Sequence, residues 1–430
     1  MKDQLQTAAD AVAQPLLFLL IFSLAFMQPP VPLLGFLAVP TDFIFVGLAA
    51  VWGILLVTGR ARLHWDRAYL FIAIYLAAML VSVPGSESVR GSAVKLLTQL
   101  YLAGLAVIVS SLVLDEAELR SAVRAWLAGT AVVGAVAILA LILFAADPGS
   151  PLLQPALSVK GTLPPGNYPR LQMTFMNPNM ACDYLTVSLL LLLAAWRVGW
   201  IGRTLFLLLL GSIVVAALTT ISPGIGGIAL GLGLWARLVL KNRAAARLSL
   251  VLGIAAAILF VAAMAVTPIL HPTAPYLIHI PVLDLTLAPS GRLMIWTDAV
   301  RNFLAHPLTG RGIGVDPVLV HYLDPSGVYE TSTDAHNVFL SIAVQCGIIG
   351  LAAFLLLARE LVARTLPLRI AGDASAIVRT GVGAGLLIAL LYEGLGGSFE
   401  DSRHLWAAFG LLIASDRIAR TRALPETAAR

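Results

Sequence analysis

The run LSLVLGIAAAILFVAAMAVTP (residues 248–268) carries no charged side chain over 21 residues, enough to cross the hydrocarbon core of a bilayer as a helix. Lipid offers backbone amides no partners, so only a helix satisfies them within one such segment. A long polar stretch, residues 268–334, comes next and closes in TSTDAHNVFL (331–340), with His336 and Asn337 at the lip of another apolar segment. Ionisable groups avoid hydrocarbon, and those kept at its boundary are placed where chemistry can occur.

Working outward, the same apolar pattern recurs. Windows of membrane-spanning length fall near 14–36, 41–59, 67–83, 92–114, 122–146, 174–196, 204–220, 223–240, 248–268, 335–358, 377–398 and 404–416. These predict an all-α integral membrane protein of about twelve transmembrane helices, one polytopic domain over 1–430, with a large loop at 268–334 between helices nine and ten. The composition agrees. The chain is 59% apolar and 12% charged, with mean hydropathy +0.91, against about 25% charged residues in soluble domains. Strand-type alternation is absent, which excludes a barrel. Cys182 and Cys346 sit at or within apolar segments without CxxC or His-rich spacing, so neither a metal site nor a cofactor is expected.

Charge sets the orientation. MKDQLQTAAD (1–10) reads as a short cytoplasmic tail, not a signal peptide. With that end inside, 20 of the 28 Lys and Arg fall in cytoplasmic segments, as the positive-inside rule requires. Both termini are thus expected on the cytoplasmic side of the membrane. The net charge of +5 is mostly insertion signal, and no nucleic-acid partner is inferred. Arg170, Arg292, Arg301, Arg311 and Arg403 are left on the outer side, where topology does not require them. Guanidinium forks there suit a phosphate or diphosphate carried on a lipid.

Two loops hold most of the reactive inventory. The first, 147–173, is rich in Pro and Gly and is expected to be held by turns. Arg170 lies near its end, followed by Asn177-Pro178-Asn179. Arg170 either contacts substrate or snorkels to headgroups; Asn177 and Asn179 either support a site or cap the next helix. The second contains APSGRLMIWTDAVRNFLAHPLTGRGIG (288–314). Trp296, Val300, Phe303 and Leu304 form an apolar stripe, with Asp298, Arg301 and Asn302 opposite, so 291–305 predicts an amphipathic helix at the outer interface, capped by Ser290. Gly310, Gly312 and Gly314 read as a turn. Thr333 or Asp334 is expected to cap span ten. His336 at that helix start favours neutral imidazole, as a general base requires, or else hydrogen-bonds backbone and headgroups. Glu400, Asp401, Arg403 and His404 form a last outer cluster, and Glu393 is an intramembrane carboxylate. A transporter or lipid flippase would draw on Lys95, Asp183 and Glu393, but the two halves of the chain do not repeat.

PRLQMTFMNPNMACDYL (169–185), GRLMIWTDAVRNFLAHPLTGRGIG (291–314), DAHNVFLSIAVQCGIIG (334–350) and SRHLWAAFGLL (402–412) together resemble the core of the O-antigen ligase and polymerase superfamily. The resemblance implies a GT-C-like, metal-independent glycosyltransferase of lipopolysaccharide assembly. Such an enzyme takes a glycan from undecaprenyl diphosphate on the periplasmic face. A ligase would pass it to a lipid A-core hydroxyl; a polymerase would pass it to a second lipid-linked repeat. By the same resemblance His336 would deprotonate or orient the acceptor, and Arg292 and Arg170 would hold the diphosphate, with Arg311 and Arg403 as further contacts. Asn177, Asn179, Asn337 and Glu393 would support them. Many relatives carry Ser-Arg-Gly after span seven. Here Ser222-Pro223-Gly224 lacks that arginine, and Arg170, Arg311 or Arg403 is expected to replace it or the donor is held differently.

Overall fold

The computed structural model describes residues 2–33, 36–160, 169–222, 224–270, 278–280, 285–287, 292–323, 329–366, 373–396 and 401–423. Helices lie over the expected apolar windows, the first of them only in part. They are α1 (Lys2–Ser23), α2 (Pro40–Val57), α3 (Arg67–Ser82), α4 (Val89–Leu112), α5 (Glu116–Ala146), α6 (Pro178–Arg197), α7 (Arg203–Thr219), α8 (Gly224–Leu238) and α9 (Arg243–Leu270). After α10 (Arg292–Ala305), which precedes span ten, come α11 (Val338–Thr365), α12 (Ala374–Gly396) and α13 (Arg403–Ala423). Among the described residues, seven helices are long and apolar enough to cross a membrane. The first window is misplaced: α1 begins at Lys2 and ends at Ser23. Ala and Gln in the supposed tail are good helix formers, whereas Pro29, Pro30 and Pro32 stop the apolar run.

Helices α6 and α12 form the buried centre. Their close approach depends on Gly381 and Gly385, one turn apart on α12. An added Cβ would come within 2.8 Å of the Leu190 carbonyl and 2.9 Å of Val187 Cα. Small residues at this spacing let backbones touch where no hydrophobic force drives helices together. Around this pair α4 packs on α13, α3 on α11, α5 on α7, and α8 on both α9 and α12.

A charge network ties α3, α11, α12 and α13 together. Buried Arg364 donates to Glu360 at 2.8 Å, to Asp416 at 3.1 Å and to Asp66. Arg379 also reaches Asp416 at 3.1 Å, Arg420 does so at 2.8 Å, and Arg67 binds Glu360. Arg364 and Arg379 counted as insertion signals in the sequence; both are structural ion-pair members as well.

Helix α11 breaks at Gly347 (φ 65°, ψ −164°), and the turn HPLTGRGIG docks into the break. Ile348 N donates to the Pro307 carbonyl (2.9 Å), while Arg311 N and Gly312 N donate to the Val344 and Gln345 carbonyls (2.8 and 3.0 Å). The loop backbone thus supplies bonds that the broken helix cannot make for itself. Farther on, Ile313 N donates to Ser82 Oγ and its carbonyl accepts from Ser92 Oγ. A side chain at Gly347 would lie 2.2 Å from the Leu308 carbonyl. Gly347→Ala is therefore expected to destabilise the protein by at least about 1–3 kcal/mol from backbone strain alone. Faster protease cleavage at Arg311 than in wild type would report it; unchanged cleavage would remove this role from the break.

Among the described residues, four short antiparallel hairpins decorate the loops: β1–β2 (Val31–Leu33, Phe36–Ala38), β3–β4 (Leu157–Lys160, Pro169–Leu171), β5–β6 (Ile278–Ile280, Leu285–Leu287) and β7–β8 (Val320–Leu323, Tyr329–Ser332). The loop at 147–173 therefore contains paired strands besides turns. Strands of three or four residues leave no alternation long enough to read in sequence.

Candidate active site

The second loop closes on His336. Three anchors fix the backbone there. Asp334 Oδ1 accepts from His336 N at 2.9 Å, the Ala335 carbonyl accepts from Trp296 Nε1 at 3.1 Å, and Asn337 caps α11 by accepting from Phe339 N and Leu340 N. Asn337, not Thr333 or Asp334, is the cap. Asp334 is spent on the turn before it, which holds His336 in the left-handed region (φ 48°), uncommon for a residue with a Cβ. The imidazole side chain remains 39% exposed. Its Nδ1 is 3.6 Å from Asp334 Oδ2, longer than a hydrogen bond but close enough to orient the ring. Partial burial pushes the imidazole below the ordinary histidine value and the nearby Arg292 guanidinium pushes the same way, while Asp334 opposes them. Burial and Arg292 together thereby favour the uncharged imidazole.

Arg292 opens α10 and is buried at 6% exposure. Helix α10 rests on the start of α11 through Ile295 and Ala299 against Val318, Val320, Ala335 and Val344, with Trp296 and Phe303 packed beside them. The amphipathic stripe is thus rotated from the expected one. Trp296 and Phe303 face inward, but Val300 and Leu304 are 42% and 67% exposed. Asp298 and Asn302 are not a free polar face: Asp298 accepts from Leu319 N, and Asn302 donates to Asp298 and the Pro317 carbonyl. The loop after Gly314 folds back over them, which the helical wheel cannot foresee. Ser290, the expected cap, lies outside the described residues.

Arg170 joins a second group. On β4, its Nε donates to the Thr220 carbonyl (3.1 Å) and its Nη2 to Asn179 Oδ1 (3.4 Å). Asn179 also accepts from Ser222 Oγ at 3.1 Å, and Ser222 shares a hydrogen bond with Tyr392. Arg170 therefore reaches the turn whose usual arginine is absent. Pro223 itself lies outside the described residues, as does the side chain of Glu393, whose backbone adjoins Tyr392 in α12. Asn177 caps α6 by accepting from Met180 N at 2.9 Å. Tyr392 and Ser222 were not singled out by their chemistry in the sequence; a hydroxyl inside an apolar run carries no periodic signal.

Arg311 and Arg403 are engaged elsewhere. Arg311 makes a forked pair with Glu87 (3.0 and 2.8 Å), and that bond holds the Glu87 carboxyl below the usual carboxylate range. Arg403 forks onto Asp42 (2.7 and 3.0 Å) with its guanidinium over Tyr101. The expected local cluster at 400–404 is dispersed: Asp401 accepts from Lys95 and Gln99, and His404 is buried against Phe175 and Tyr184. Glu400 lies outside the described residues.

Both groups stand at one end of the bundle. The turn after α10 touches the α3–α4 corner at Ser82 and Ser92. Lys95 and Gln99 of α4 bind Asp401 ahead of α13, and His404 of α13 meets Phe175 in the Arg170 loop. Beside Ser222 and Tyr392 opens an apolar groove of about 430 Å³ between α8, α9 and α12, walled by Ile225, Gly226, Leu230, Ala256 and Ile388. No group of His, Cys, Asp or Glu among the described residues is arranged to hold a metal.

Residues 205–355, from α7 through the break in α11, match the sequence profile of the family described as O-Antigen ligase. No curated protein matches the chain.

Proposed function

We propose that the protein is an O-antigen ligase-type glycosyltransferase, moving a glycan from undecaprenyl diphosphate to a lipid A-core hydroxyl on the periplasmic face of the inner membrane. The observation that carries this is His336, held by its neighbours in a left-handed conformation at the start of α11, close to buried Arg292, with burial and that guanidinium favouring the uncharged imidazole. The neutral imidazole takes the acceptor proton as oxygen attacks the anomeric carbon. Negative charge then develops on the departing diphosphate, where Arg292 and Arg170 compensate it. One displacement inverts the anomeric configuration. Arg170 stands in for the arginine missing beside Ser222, because Arg311 and Arg403 are neutralised by Glu87 and Asp42. The groove beside Ser222 and Tyr392 accepts the lipid tail of the donor. Lys95, offered above as transporter evidence, is paired with Asp401 at the end of the bundle, which weakens that alternative.

The test is a transfer assay with undecaprenyl diphosphate glycan and either lipid A-core or a second lipid-linked repeat. Product on lipid A-core is expected. A ladder of lengthening lipid-linked glycans would instead make the protein a polymerase, and no product with either acceptor would sink both. The pH profile gives a second check. A general base works unprotonated, so activity is lost as pH falls through the His336 pKa, which lies below the ordinary value. Asp334 raises that pKa, so Asp334→Asn is expected to move the acid limb to still lower pH. A limb that stays put would detach it from His336.

A further inference from the structure

The groove beside Ser222 and Tyr392 does not stop halfway. A second cavity of about 740 Å³ continues it along α8, α9 and α12, sharing Leu230, Ile388 and Leu391. Its far end is lined by Arg237 in the last turn of α8 and by Arg243 and Arg247 in the first turns of α9. All three arginines are exposed, and none forms an ion pair among the described residues. Among the described residues, no acidic side chain lines the cavity. Several other arginines on the expected cytoplasmic side are paired: Arg364, Arg379 and Arg420 with Asp416, Arg67 with Glu360, Arg422 with Glu116 and Asp373. Three uncompensated guanidiniums therefore gather at the mouth of a slot walled by Leu230, Leu234, Leu250, Ile388 and Leu391.

We propose that this slot binds an anionic phospholipid, with its phosphate on Arg237, Arg243 and Arg247 and an acyl chain between α8 and α12. Insertion signalling accounts for basic residues on this side, but not for their convergence on one apolar cavity. A phosphodiester meets three forks of donors, and the chain covers leucine surface that the bundle leaves open. The site is separate from the proposed transfer chemistry, and its failure would leave that reading standing.

The experiment offers phosphatidylglycerol or phosphatidylcholine of identical acyl chains to the purified full-length protein and reads retained lipid by native mass spectrometry. Phosphatidylglycerol is expected to be held more tightly by a factor on the order of a hundred, three basic contacts acting together. The triple variant Arg237→Gln, Arg243→Gln, Arg247→Gln should lose that preference. A control triple at Arg197, Arg203 and Arg359, which are exposed but line neither cavity, should keep it. Ala246→Phe, which fills the slot while sparing the arginines, should weaken retention too. Equal binding of the two lipids, equal loss in the control triple, or unchanged retention in the arginine triple would overturn the proposal. So would retention of undecaprenyl phosphate alone, which would give the whole groove to the donor tail.

Discussion

His336→Ala is expected to leave the protein folded and to lower glycan transfer about 10²–10⁴-fold, the usual contribution of a positioned general base. The fold survives because His336 anchors nothing with its ring. Asp334 binds its backbone N–H, Trp296 holds the preceding carbonyl and Asn337 caps α11. Alanine keeps the backbone donor but meets a left-handed conformation that disfavours any Cβ, a strain already present in the histidine. Donor affinity should change little, since the diphosphate is assigned to Arg292 and Arg170. The informative pair of readings is therefore turnover against donor binding. Lost turnover with retained binding supports a base; parallel loss of both would make His336 a donor contact. Turnover near wild type would end its catalytic role.

Asp416→Ala should be the most damaging single change to stability, at about 3–5 kcal/mol, because it strands buried cations. Asp416 is 1% exposed and holds Arg364, Arg379 and Arg420 at once. Arg364 retains Glu360 and Asp66, but Arg379 Nη1 has its ion-pair partner in Asp416. Glu87→Ala is the comparison. It removes the Arg311 pair at a site where the carboxylate is 56% exposed, and exposed pairs contribute about 0–1 kcal/mol. Thermal unfolding in detergent should separate the two variants widely. Similar midpoints would mean that α3, α11, α12 and α13 are held by packing alone.

Helices were legible in the sequence where an uninterrupted apolar run met a cap and a proline, as at Asn177-Pro178, whereas the expected cap of α11, Thr333 or Asp334, gave way to Asn337. They were misread at α1, where helix-forming polar residues extend the element and prolines end it early. Within the candidate site, the nearness of Arg292 to His336 was open to a sequence reading because both flank one loop. The duties of Arg311 and Arg403 were not. Their carboxylate partners lie 224 and 361 positions away, and no local pattern encodes a contact made only after the bundle closes. The rotated face of α10 was hidden for the same reason: the chain that covers Asp298 and Asn302 arrives from beyond the glycine turn. A buried network such as that around Asp416 reads in sequence as scattered arginines that satisfy the insertion rule.

The chain between the docked turn and His336 is fastened twice, by independent means. Upstream, Arg311 and Gly312 are stitched into the break of α11, and Val318 and Val320 are packed under α10. Downstream, Trp296 and the Asn337 cap hold the histidine without reference to what precedes Ser332. The hairpin from His321 to Thr331 thus behaves as an interchangeable cassette. Changes in its length and side chains are expected to leave His336 where the start of α11 has put it.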